Sequence, residues 1–135
     1  MTTIIRVPDW PERLVAFIEA RRFMPFAWGQ NDCALFAADG ILDFTGVDIA
    51  KSFRGYTTER RAARILARAG GMEVIAGDLF PEKAVGLAGR GDVIIATLEG
   101  RDTFGLVSGG GYWCGPGLSG LLFRPLSDAR KAYMV

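Results

Sequence analysis

A chain of 135 residues, half of it apolar, is long enough to bury a proper core and too apolar to be disordered. Its net charge of +1 leaves no electrostatic footprint for nucleic acid, and no apolar run approaches the roughly 20 residues of a membrane span. Two cysteines are not a disulfide framework, and with no histidine a metal site would need carboxylates and two distant thiols. The expectation is one domain over residues 1–135 with no metal, cofactor, nucleic-acid partner or membrane span. "MTTIIRVPDW" lacks a signal-peptide pattern, so synthesis in a reducing cytoplasm is expected.

The first half reads helical. Asp9 followed by Glu12 makes a capping-box pattern, and Leu14, Phe17, Ile18 and Arg21 step at helical spacing to a stop near Phe23, before Pro25. A second helix starts at Asn31 or Asp32, runs to about Phe44 and stops at Gly46. It is apolar on nearly every side, with only Asp39 and Asp43 marking a wet stripe, so it belongs in the core. A third helix spans about Thr58 to Ala69, closed by Gly70-Gly71. Its Ala62, Ile65, Leu66 and Ala69 face inward, while Arg60, Arg64 and Arg68 form a solvated stripe.

The second half reads as short strands. Val93 to Leu98 is one, ending in a Glu99-Gly100 turn. "TFGLVSGGGYWC" gives two more around a glycine turn, "GLLFRPL" a fourth, and "AYMV" a short terminal one. The glycine run lacks the Gly-Lys-Ser/Thr ending of a phosphate loop and opens no helix. Helices segregated from an antiparallel sheet make an α+β fold.

Chemistry concentrates at Cys33, in "FAWGQNDCALFAAD". A cysteine in the first turn of a helix faces free backbone N–H groups and the positive end of the helix dipole. Both favour thiolate, so its pKa is expected to fall below the free value of about 8.5. The same N–H groups could hold an oxyanion. Against this, a lone cysteine is commonly a small buried hydrophobe, and the neighbouring carboxylate of Asp32 opposes ionisation. Tyr112 and Trp113 are candidates either for a groove beside Cys33 or for the core, and Cys114 points into the sheet.

"FAWGQNDCALF" resembles the nucleophile motif of NlpC-like endopeptidases, a branch of the papain-like cysteine peptidases: an aromatic, a spacer, Trp-Gly, a polar turn, then Asp-Cys opening an apolar helix. "GRGDVIIA" and "TFGLVSGGGYW" are similar to the two strand motifs that follow, and the likeness covers about residues 9 to 126. It is strongest to small NlpC-like proteins of phage and prophage tail-gene regions. The resemblance implies a papain-like fold, its buried central helix starting at Cys33 and packed on a small antiparallel sheet. It implies a groove near Phe26, Trp28 and Asp32, with phage tail proteins or peptidoglycan peptide as partners and incorporation into a phage particle.

The resemblance also exposes departures. Registering Gly105 on the family's strand glycine puts Thr103 where the catalytic histidine stands, and a threonine hydroxyl is no base near neutral pH. Phe26 replaces a tyrosine that lends the family a hydroxyl, and nothing between Trp113 and Gly115 can orient an imidazole. Asp102 is the nearest substitute base, and a carboxylate titrating near 4 matches a thiol proton poorly. The expectation is a domain without catalysis, a tail-associated component whose groove binds a protein segment or glycan or has no ligand at all. The alternatives are a cysteine hydrolase of peptidoglycan peptide amides with Cys33 as nucleophile, and a structural protein in which Cys33 only packs.

Overall fold

The structure, a computed structural model, describes residues 3–135. Four α-helices precede a six-stranded antiparallel sheet. Helix α1 (Trp10–Arg21) buries Leu14, Phe17 and Ile18. Asp9 occupies its N-cap position without making the expected capping bond; its carboxylate takes Arg13 Nε at 2.9 Å instead. Helix α2 (Cys33–Thr45) begins at a true cap, Asp32, and ends at Gly46 in the left-handed region (φ +79°), whose N–H reaches the Leu42 carbonyl.

Helix α3 (Glu59–Arg68) is capped by Thr58. Helix α4 (Met72–Leu79), starting right after the Gly70-Gly71 stop, is an element that the sequence reading lacks. The strands are β1 (Glu82–Lys83), β2 (Val93–Leu98), β3 (Arg101–Gly109), β4 (Tyr112–Gly117), β5 (Gly120–Pro125) and β6 (Ala129–Tyr133), in spatial order β1-β6-β2-β3-β4-β5. Strands β2 to β5 form the expected meander. The terminal strand starts at Ala129 rather than at the expected "AYMV", and returns to the far side of β2.

Alternation along the strands divides the core. On one face, Phe36, Ile41 and Phe44 of α2 pack with Leu14 and Phe17 of α1 against Val93, Ile95, Phe104 and Leu106. Each such side chain, fully buried, contributes about 1.5–3 kcal/mol. Close approach of α2 to the sheet requires Gly40, where a Cβ would lie 2.6 Å from Leu106 and 3.0 Å from Phe17. On the opposite face Ile94, Val107, Trp113 and Ala132 pack under two 3-10 turns. Asp92, at the foot of β2, is buried and structural: it accepts from Arg6, Lys83, and the backbone N–H groups of Gly89 and Val135. Among the described residues no helix is long and apolar enough to cross a membrane.

Candidate active site around Cys33

The segment before α2 is stitched to the sheet by backbone bonds, Phe26 N–H to Gly117 O at 2.8 Å and Leu121 N–H to Arg22 O at 2.9 Å. Asn31, buried, holds the turn from inside: its amide donates to the carbonyls of Met24 and Pro25, and its oxygen accepts from Arg21 at 3.0 Å. Phe26 and Trp28 meet edge to face with centroids 4.8 Å apart. Gly29 is obligatory by geometry. Its φ is +78°, and a Cβ there would fall 1.9 Å from the Tyr56 carbonyl oxygen.

Asp32 is buried and fully engaged. One carboxylate oxygen caps α2 through Leu35 N–H at 2.9 Å; the other accepts from Gly29 N–H at 3.0 Å and from the Tyr56 hydroxyl at 2.5 Å. Tyr56, in the α2–α3 connection, is absent from the sequence reading. Burial first and Asp32 second hold its phenol well above the ordinary range, so the hydroxyl keeps its proton and donates it. Asp39, expected on a wet stripe, lies between Arg21 (2.8 Å) and Arg54 (2.6 Å) and fastens α1 and the α2–α3 connection to α2.

The Cys33 sulfur sits where α2 meets β3. The Phe104 and Ala34 N–H groups and the Thr103 hydroxyl face it. Registered β3–β4 pairs start at Leu106↔Cys114 and run away from the site to Gly109↔Tyr112, so Phe104 lies outside them, on the Cys33 side. The expected downward shift of the thiol does not occur. Burial pushes its pKa up and outweighs those three donors, and the adjacent Asp32 charge adds to the rise. The helix terminus is where it was expected.

Thr103 therefore does stand beside the thiol, yet its hydroxyl also lies 3.2 Å from the Phe104 carbonyl, and it has one proton to give. Asp102 corrects the expectation of a substitute base. Its carboxylate is held by Arg130 Nη2 at 2.6 Å and Nε at 3.2 Å, with the Thr97 hydroxyl at 3.1 Å, and Arg130 pulls its pKa further down. Tyr112 and Trp113 also depart from the groove reading. Trp113 points to the opposite face of the sheet from α2, as strand alternation with Cys114 requires, and Tyr112 is half exposed at the far end of β4. Cys114 lies under α2 with its thiol pushed up to about 12 by burial. Both cysteines are free. Among the described residues no cluster of three or more metal-ligating side chains occurs.

Beside Cys33 opens a cleft of about 320 Å³. Phe26, Trp28, Asp32 and Thr103 border it, while Leu35 and Ala38 of α2, Ile65 and Leu66 of α3, and Ile75 and Leu79 of α4 line it. The α3 and α4 contribution could not come from the Cys33 motif, although the inward residues of α3 were already legible.

No curated protein matches the chain. Among solved structures it is similar to the one described as the crystal structure of the NlpC/p60 domain of the peptidoglycan hydrolase SagA. The TM-score is 0.62 at 20% identity, covering 93% of this chain and 98% of that one. That likeness establishes an NlpC/p60-like α+β fold, in line with the expected architecture. A family model described as "Domain of unknown function (DUF6950)" matches residues 5–135, and the chain belongs to that family.

Proposed function

We propose that this protein is an NlpC/p60-fold domain without peptidase activity, serving as a tail-associated binding or assembly component of a phage or prophage. The observation that carries the loss of catalysis is the surroundings of the Cys33 sulfur: a threonine hydroxyl, two backbone N–H groups and a capping carboxylate, with burial holding the proton on the thiol. General-base assistance is worth about 10²–10⁴-fold in rate, and no group here supplies it. The tail association is supported by the sequence resemblance alone, with tail proteins as the partners it implies.

A second reading has one observation in its favour. Cys33 stands at the first position of α2, where helix N–H groups could receive an oxyanion, on a fold shared with a hydrolase domain. Under it Cys33 attacks a peptidoglycan peptide amide. Incubation of purified cell walls with wild type and Cys33→Ala, followed by mass spectrometry of released muropeptides, separates the two. No release by either protein is expected. Release by wild type that disappears in Cys33→Ala would overturn the non-catalytic reading.

A further inference from the structure

The cleft beside Cys33 is larger and more apolar than loss of a catalytic base explains. Helix α3 buries one side chain, Ala62, and α4 buries one, Ala76. Ile65, Leu66, Met72, Ile75 and Leu79 of these helices line the cleft; Ile65 and Met72 also touch the core, and Leu79 stays exposed. Close-packed interiors do not leave such volume unfilled, and alanines at 34, 37, 38 and 63 keep it open where longer side chains would close it.

The charges on its walls limit what can enter. They are Asp32, Glu59 and Asp102 against Arg101, three carboxylates to one guanidinium. Arg101 is already paired with Glu59 at 2.5 Å, Asp102 with Arg130, and Asp32 is fully hydrogen-bonded. A charged peptide or an anionic head group finds no free cation among these groups. The exposed arginines of α3, Arg60, Arg64 and Arg68, lie on the side of the helix away from the cleft. The ion pairs Arg101–Glu59 and Arg130–Glu73 that tie the β2–β3 hairpin and β6 to α3 and α4 are exposed, so they contribute little to holding the rim of the cleft.

We infer that this cleft is a binding site for a single unbranched acyl chain carrying an uncharged head group. Its volume equals the liquid volume of roughly ten waters, and a methylene takes about as much room, so a chain of about ten carbons fills it. The inference rests on reading the cleft as a binding site and is independent of whether Cys33 reacts.

The test is calorimetric titration of the whole protein with monoacylglycerols of six to twelve carbons, kept below their micellar concentrations. One saturable site is expected, with affinity rising about fourfold per methylene and levelling near ten carbons. Decanoate at pH 8 is expected to bind at least about tenfold more weakly than monodecanoylglycerol. Ala63→Leu, which fills the cleft from an exposed position, and Leu66→Asp, which charges it, are each expected to lose binding while keeping the wild-type circular dichroism spectrum. Absence of saturable binding, affinity independent of chain length, equal binding of decanoate, or undiminished binding by both folded variants would overturn the inference. The first of these would leave the cleft to an apolar protein segment. The muropeptide result stands apart from all four, so failure of one reading is not mistaken for failure of the other.

Discussion

The Tyr56 hydroxyl donates to the Asp32 carboxylate at 2.5 Å, joining the α2–α3 connection to the residue that caps the helix carrying Cys33. The family-like position for a hydroxyl, Phe26, has none, so the buried phenol near the thiol arrives from a different part of the chain. It braces the acid beside the nucleophile position and offers no base.

Tyr56→Phe is expected to destabilise the fold by about 2 kcal/mol at pH 7, because a hydrogen bond to a buried carboxylate is lost while Asp32 keeps its two backbone donors. The phenol pKa is raised in the fold, so its contribution is complete below the ordinary value of about 10 and fades as pH rises beyond it. Urea unfolding at pH 7 and pH 11 checks both: the gap between wild type and variant should narrow in alkali. A gap under about 0.5 kcal/mol at pH 7 contradicts the bracing role.

Thr103→His restores an imidazole at the position next to the sulfur. Ion pairing with a histidine favours thiolate, so alkylation of Cys33 at pH 7 should speed up at least about tenfold, read by mass spectrometry of the Cys33 peptide. An unchanged rate would mean that a residue 103 side chain cannot serve the thiol.

Asp102→Asn should leave Cys33 alkylation unchanged, since Arg130 occupies this carboxylate. The visible effect is on acid stability. A carboxyl pulled below its ordinary pKa contributes above about pH 4 and loses that contribution as pH falls through the lower folded value. Being exposed, it is worth under about 1 kcal/mol, so wild type and variant should converge in acid. A slower Cys33 reaction in Asp102→Asn would reinstate this residue as the base.

Gly29→Ala and Gly46→Ala separate steric from conformational demand. Both glycines have φ near +78°, but a Cβ at Gly46 meets nothing within 4 Å, whereas at Gly29 it would sit 1.9 Å from the Tyr56 carbonyl. Gly46→Ala should cost about 1 kcal/mol and Gly29→Ala several times that, measured by urea unfolding. Equal losses would remove the close approach as the reason for the Trp28-Gly29 pair.

Much of this was legible in the sequence. Asp32 and Gly46 announced their helix ends because capping is local chemistry, and the Glu99-Gly100 turn marked the β2–β3 hairpin; the third helix was expected from about Thr58, which is its cap. Helix α4 escaped because it is eight residues long, follows a Gly-Gly break and buries only Ala76. Of the two readings open for Trp113 the core is the one observed: with Cys114 turned towards α2, alternation sends its neighbour to the other face, away from any groove at Cys33. Tyr56 gave no signal, since a loop tyrosine has no periodicity and its partner lies 24 residues away. The direction of the thiol's shift did not follow from the sequence, because a helix terminus is visible there whereas the packing of β3 and the α2–α3 connection around a half-buried Cys33 is not.

The central claim, that the Cys33 sulfur keeps its proton near neutral pH, is tested most directly by the pH dependence of Cys33 alkylation in the folded wild-type protein, followed by peptide mass spectrometry. The rate is expected to be low at pH 7 and to keep rising past pH 9 without a plateau, the course of a thiol whose pKa burial has raised. A plateau reached at or below pH 7 would reveal a resident thiolate and contradict the account.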